Sequence, residues 1–460
     1  MTECSQQSFH FAGPGRREFV ARFDGGTISS DGGVLLLGEV ERRTGILERF
    51  GGCFRDHRAP SKVEHGIGEL VSQRVLGLCL GYEDVSDHDQ LRRDPLLCAL
   101  AGKEEAGASL AGKSTLSRLE LSTCSAAAAD RYKRIALDTA AVDALLVEVF
   151  LESYGAPPAS IVIDLDATDF ALHGHQEGRF FHGFYDHYCY LPLYVFCGEH
   201  LLCARLRPSN IDASAGTLDE IPRIVAQIRA RWPKVSIMLR ADSGFCREAI
   251  MAWCEEHGVD FVFGLARNER LQAMVAYAEG LAAMHFAATS EPTRRFEELE
   301  YRTLESWSRA RRVVAKVEYS AKGFNPRFVV TSLDWAQIEA RPLYEELYCA
   351  RGDMENRIKE QQLGLFADRV SAPTMAANQV RLYFASVGYV LMHALRRLGL
   401  RGTELERSQC DTIRVRLLKI GARLKTSVRR IVVSLSEAFP LQVLFGRVLD
   451  NLRSHGLSTA

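Results

Sequence analysis

Residues 161–169 read IVIDLDATD, three carboxylates within six residues at the end of an apolar, β-branched run. A buried carboxylate without a partner costs several kcal/mol or is forced to protonate. Charge carried out along a core strand therefore points to a ligand. A second strand pattern, VSIMLRADSGF, ends the same way, with Asp242 followed by a Ser-Gly turn. Like charges gathered from two strands repel unless a cation lies between them. Hard divalent ions of the magnesium type take carboxylate oxygens and keep several waters, so such a pair or triad reads as a metal site open to a phosphate.

The elements that must position these groups follow from side-chain period. With a repeat of two, Val162, Asp164, Asp166 and Thr168 share one face and Ile161, Ile163 and Leu165 the other. Asp242 leaves its strand on the face opposite Leu239 and Ala241. Both carboxylates reach one rim, where open α/β sheets bind ligands. Around them the chain reads as strands 161–168, 188–197 and 201–207, helix 216–231, strand 235–242, helix 246–257 and strand 259–265. That order describes an α/β domain with a mixed sheet. It begins after GAPPAS, which closes a mainly helical region with periodic stretches at 63–80, 91–100 and 130–154.

A third ligand is expected from the helix after Arg341. Tyr348, Arg351, Glu355 and Lys359 fall within an arc of about 80° of a regular helix, so Glu355 is the acidic residue that shares its stripe with a tyrosine and two cations. A plain surface helix also pairs acids and bases at these spacings.

VIDLDATD, LRADSGFCRE and YCARGDMENRIKEQ together resemble the three catalytic blocks of the DDE transposases of bacterial insertion sequences, in the group whose third block runs tyrosine, arginine, glutamate, lysine. The resemblance spans roughly residues 110–445. It implies catalysis and metal binding by Asp166, Asp242 and Glu355, separated by 76 and 113 residues, and DNA contacts by Tyr348 and Arg351. The family lysine falls on Gln362, and Lys359, one turn earlier, is the alternative phosphate contact. A ribonuclease-H-like core over 156–290 and 336–400 is implied, interrupted by a β-rich insertion at 291–335 that FEELEYRTLES, ARRVVAKVEYS and NPRFVVTSLDW supply. Two Mg2+ or Mn2+ ions would clamp the scissile phosphate. The reaction implied is cleavage at the ends of a mobile element, then transfer of the 3′ ends into target DNA. A homodimer on paired ends is expected.

Net charge is −1, yet residues 412–430, TIRVRLLKIGARLKTSVRR, are basic with no acidic member. Arg414, Arg416, Lys419 and Arg423 are candidate phosphate contacts in a basic helical region at 401–460, beside an α-helical DNA-binding region at 1–155. A solvated helix face is the plain alternative. Trp307 and Trp335, within the insertion, are candidate platforms for an unstacked base, against core packing as the plain reading. Asp164→Ala is expected to harm catalysis less than Asp166→Ala.

Other signals are weaker. GASLAGKS, 107–114, matches a phosphate-loop pattern letter for letter but follows a helical pattern rather than a strand. His173, His175, His182, His187 and Cys189 have no zinc-finger spacing. The cysteines form no C-x-x-C pair. No signal peptide and no apolar run of about 20 residues is present, so a cytoplasmic protein without membrane contact is expected. On the same core, a metal-dependent nuclease or resolvase is the nearest alternative, and a non-catalytic DNA-binding regulator the next.

Overall fold

The computed structural model describes residues 7–13, 16–103, 108–122 and 134–454. Chain contacts divide it into two units, 1–119 with 387–460, and 120–386. The alanine-rich 123–130 and the first residues of the helix expected at 130–154 lie outside the described residues.

The second unit is built on one mixed sheet. In chain order its main strands are β1 (Ser160–Ala167), β2 (Leu193–Cys197), β3 (His200–Arg205), β4 (Ser236–Ala241), β5 (Asp260–Leu265), β6 (Thr293–Tyr301), β7 (Arg311–Ser320) and β8 (Arg327–Thr331). Spatially they run β3-β2-β1-β4-β5-β8-β7-β6, and the short strand Gly323–Phe324 pairs with β7. β1 to β3 are antiparallel, β4 and β5 run parallel to β1, and β8, β7 and β6 continue antiparallel from β5. β1 is central, its Ile161, Ile163 and Leu165 facing a core that takes in Val147, Ile221, Ile224, Ile250 and Val275 from covering helices. Burial of such side chains on both faces is why these strands read as nearly continuous apolar runs.

Two expectations are corrected and a third is filled in. The run 188–197 is two strands, because Pro192 has no N–H to give a ladder. His187–Tyr190 joins a small sheet with Phe170–Ala171 and Phe180–His182, while Leu193–Cys197 joins the main one. The helix before GAPPAS starts at Thr139, where the Asp138 carboxylate caps the Ala141 N–H at 3.1 Å. The expected β-rich segment at 291–335 is present, and its strands extend the main sheet through β5–β8 pairing and share its core through Val313, Val317 and Val330.

The first unit holds helices Val34–Thr44, Ile46–Gly52, Ile67–Cys79 and Pro95–Leu100. Its basic segment is not one helix. After Cys410–Ile413 and a π-helical turn it becomes a hairpin, Ala422–Thr426 with Ile431–Leu435, followed by helix Gln442–Ser454. Between Lys419 and Arg430 the β-branched and alternating pattern overrides the helical one. Among the described residues no helix is long and apolar enough to cross a membrane.

One buried acid in the catalytic unit makes a pH prediction. Asp143 accepts from the Tyr383 hydroxyl at 2.8 Å, and burial pushes its carboxyl up to about 6. A carboxyl whose folded value lies above its unfolded one favours folding only while protonated, so stability falls as pH rises from about 4 through 6. Asp143→Asn keeps an acceptor for Tyr383 and removes the titration. We expect it to be more stable than the parent by about 1–3 kcal/mol at pH 7 and to lose that advantage at pH 4, measured by urea unfolding at both pH values.

Candidate active site

The three carboxylates of 161–169 have three different surroundings. Asp164 is 3% exposed and sits beside Arg240 in register across β1 and β4. The guanidinium grips it through Nε at 2.5 Å and Nη2 at 2.8 Å, and its Nη1 donates to the Leu347 carbonyl at 2.5 Å. Asp169 accepts from His187 Nε2 at 2.8 Å. Asp166, near the end of β1, is the one turned toward Arg351, whose Nη1 is 3.4 Å away.

Asp242 leaves β4 and folds back to accept the Gly244 N–H at 2.8 Å, capping the 3-10 turn Ser243–Phe245. Glu355 comes from a helical segment that is not a uniform α-helix. It passes through a π-helical turn, Leu343–Tyr348, a 3-10 turn, Cys349–Arg351, the α-helix Gly352–Lys359 and a second π turn, Glu360–Gly364. Such turns recur at functional sites because they re-aim side chains. Arg351 reaches Glu355 Oε1 at 2.9 Å as well as Asp166, and bridges the two.

Burial, reinforced by the charges of Asp242 and Glu355 against the attraction of Arg351, pushes the Asp166 carboxyl up to about 7. This group of oxygens is short of positive charge, and such a donor set suits a hard divalent cation. As it stands Glu355 is turned to Arg351, and among the described residues no three His, Cys, Asp or Glu side chains are gathered so as to hold a metal ion. Burial also raises the Tyr348 phenol, with Arg351 pulling it down and Asp242 pushing it up.

The remaining residues singled out from sequence are placed as follows. Lys359 is exposed, and Gln362 Nε2 lies 3.4 Å from the Asp169 carbonyl. Trp307 is 3% exposed, edge-on to Tyr301 at 5.6 Å with Arg311 over it. Trp335 is 63% exposed. Arg414 is buried, donating to the Cys79 and Leu78 carbonyls and pairing with Asp411. Arg416 pairs with Glu404 at 2.7 Å and Lys419 with Asp31 at 2.6 Å, whereas Arg423 is exposed on the hairpin with Lys425, Arg429 and Arg430. In the GASLAGKS stretch, Lys113 is held by Asp89 at 3.2 Å and Pro95–Leu100 before it is helical.

Two residues escaped the sequence reading. Arg240 stands two before Asp242 in LRADS, and its in-register place opposite Asp164 needs the strand pairing to be known. Gly264 is the other. A Cβ there would lie 2.5 Å from Tyr348 Oη and 2.9 Å from the Ser243 nitrogen. The signal was present, since a glycine inside the strand DFVFGL marks close approach of another group. Beside it is a cavity of about 390 Å3 lined by Ser243, Gly264, Arg267, Arg327, Tyr344 and Tyr348. Gly264→Ala should cost about 1–3 kcal/mol through overpacking. By displacing Tyr348 or the Asp242 turn, it should also slow DNA cleavage about 10- to 100-fold. Thermal melting and single-turnover cleavage separate the two effects.

No curated protein matches the chain. Among solved structures, the synaptic complex of piggyBac transposase with hairpin DNA is similar at TM-score 0.42 and 10% identity, over 85% of this chain and 80% of that one. The family model described as transposase DDE domain group 1 matches residues 11–457. The carboxylate-bearing strand ends thus lie in a chain that belongs to transposase DDE domain group 1, a family of enzymes that cleave DNA and transfer its strands.

Proposed function

We propose that this chain is the transposase of a bacterial insertion sequence, cutting the element's ends and joining the freed 3′ ends to target DNA at Asp166, Asp242 and Glu355. The observation that carries this reading is the charge-starved carboxylate group at the ends of β1 and β4, facing Arg351 on the third-block helix. The order β3-β2-β1-β4-β5, with three antiparallel strands and two parallel ones, supports a ribonuclease-H-like core.

Asp166, Asp242 and Glu355 would hold Mg2+ or Mn2+, Glu355 giving up its contact with Arg351. Two bound ions supply a Lewis acid for the phosphate and an activated water or 3′-hydroxyl. Arg351, once released, offers a guanidinium to the phosphate beside these carboxylates. Tyr348 keeps its proton over the ordinary pH range and so donates a hydrogen bond rather than a charge. Lys359, exposed further along the same segment, would meet the DNA backbone. Gln362, bonded to the loop after β1, steadies that loop in place of the family lysine. Trp335 is exposed enough to stack on an unstacked base, whereas Trp307 is committed to packing in the structure described. A homodimer bridging two ends fits a reaction that must handle both termini.

The test is metal-dependent nicking of duplexes made from the DNA on either side of the gene. Cuts at short inverted repeats followed by strand transfer are expected. Nicking without transfer would favour a nuclease, and binding without nicking a regulator.

Affinity is expected to come in part from the hairpin. Exchange of Arg429 and Arg430 for glutamine should weaken binding to all sequences alike and flatten the salt dependence by about one unit of slope per lost phosphate contact. Arg414→Gln should instead lower stability. Filter-binding across a salt series and urea unfolding distinguish them.

A further inference from the structure

Directly after the Asp166 strand, the chain makes an aromatic projection that the proposed chemistry does not use. Phe180–His182 pairs with His187–Tyr190, whose far end also pairs with Phe170–Ala171, and the projection is closed by a turn in which the Asp186 N–H bonds the His182 carbonyl at 2.8 Å and Asp186 takes a positive φ of 57°. Phe184 at its tip is 83% exposed, and Phe180, Phe181 and Tyr188 are exposed along it. Apolar rings on a protein surface are ordinary singly, but a run of them on one ribbon marks a contact site.

These rings are held rather than loose. Phe184 packs edge-on to Tyr185 at 5.1 Å and Phe181 to Tyr188 at 5.6 Å, and the Arg179 guanidinium covers Tyr188 at 4.0 Å. The turn end of the ribbon is fixed beside the carboxylates, because His187, the first strand residue after the turn, bonds Asp169, and Tyr185 within the turn is near enough to feel the charges of Asp169, Asp166 and Asp242. Whatever phosphate lies at Asp166 has this tip as a neighbour.

The geometry points to the 180–190 ribbon as a wedge for duplex DNA, its Phe184 ring entering the base stack next to the scissile phosphate. Four features favour DNA over a protein partner. The rings are strung along a narrow ribbon rather than spread over a flat face. From the Phe181–Tyr188 pair to the turn the ribbon is two strands wide, the width of a DNA groove. Apolar rings at such tips unstack and kink base steps. Histidines and Arg179 flank the rings, with an acidic site behind them that a phosphate would enter only with metal. This inference rests on the reading of the chain as a DNA transposase acting at Asp166.

The experiment uses the full chain in an Asp242→Asn background that cannot cut, with duplexes of the gene's flanking DNA carrying 2-aminopurine at successive positions around the site nicked by the parent protein. Fluorescence should rise several-fold at one step with Phe184 present, fall to the free-duplex value with Phe184→Ala, and be kept by Phe184→Trp. Binding by Phe184→Ala should weaken about ten-fold, the range of one stacked ring. Unchanged fluorescence and affinity in Phe184→Ala would overturn the wedge while leaving the transposase reading intact. So would a parent dimer, seen by ultracentrifugation without DNA, that Phe184→Ala dissociates, since the ring would then face a second copy. A parent protein that neither binds nor nicks flanking DNA overturns both. Phe184 is exposed, so the alanine protein should melt as the parent does, and melting is recorded for each variant.

Discussion

Asp166→Ala, Asp242→Ala and Glu355→Ala proteins are each expected to bind flanking DNA and fail to cut it. On the proposed reading the three groups act on the reacting phosphate, while affinity comes from contacts along the backbone. Because such residues work as a unit, losing one should cost nearly as much as losing all, at least about a thousand-fold in the nicking rate. Binding should stay within about three-fold, because the phosphate contacts are untouched. Single-turnover nicking with Mg2+ or Mn2+ and a parallel binding titration measure both. Glu355→Ala differs in one respect, since it also frees Arg351 from its 2.9 Å contact. If Asp166→Ala cut at the parent rate, the site would have to be placed elsewhere.

Asp164, two residues away, should fail in another manner. Removing its carboxylate leaves the buried Arg240 guanidinium unpaired, and breaking a buried ion pair from one side costs about 3–5 kcal/mol. Asp164→Ala and Arg240→Ala should each lower the free energy of unfolding, measured by urea titration, by that amount. Replacing both with apolar residues of similar volume, Asp164→Leu with Arg240→Met, should recover most of it, because the cost lies in the stranded charge rather than in the missing pair. Arg240 also holds the Leu347 carbonyl, so either single change should loosen the turn that carries Tyr348. Asp164→Ala is thus no mild control for Asp166→Ala. The expectation that it would do less harm concerns chemistry; for folding, the buried pair with Arg240 predicts the reverse.

Much of the catalytic unit was legible from side-chain period. IVIDLDATD and VSIMLRADSGF each place a carboxylate at a strand end, and those strands pair in parallel as β1 and β4. What period could not reveal was which carboxylate on one face serves which purpose. Asp164 and Asp166 share that face, and only the neighbouring strand's register puts Arg240 opposite the first. The third block was read as a regular helix, and its stripe survives only in part because π and 3-10 turns change the angle between residues. The basic 412–430 stretch was misread for a related reason. Charge says nothing about backbone, and three of its seven cations, Arg414, Arg416 and Lys419, prove to be partners for Asp411, Glu404 and Asp31.

The pairing of β5 with β8 has a mechanical meaning. A segment hung on flexible linkers can swing shut over a substrate, but one whose strands are laddered into the central sheet moves only by breaking backbone hydrogen bonds. The amides of Arg327–Thr331 should therefore exchange with solvent about as slowly as those of Ser236–Ala241, as parts of one cooperative opening. The strands of 291–335 are thus expected to move with the central sheet rather than as a separate lid.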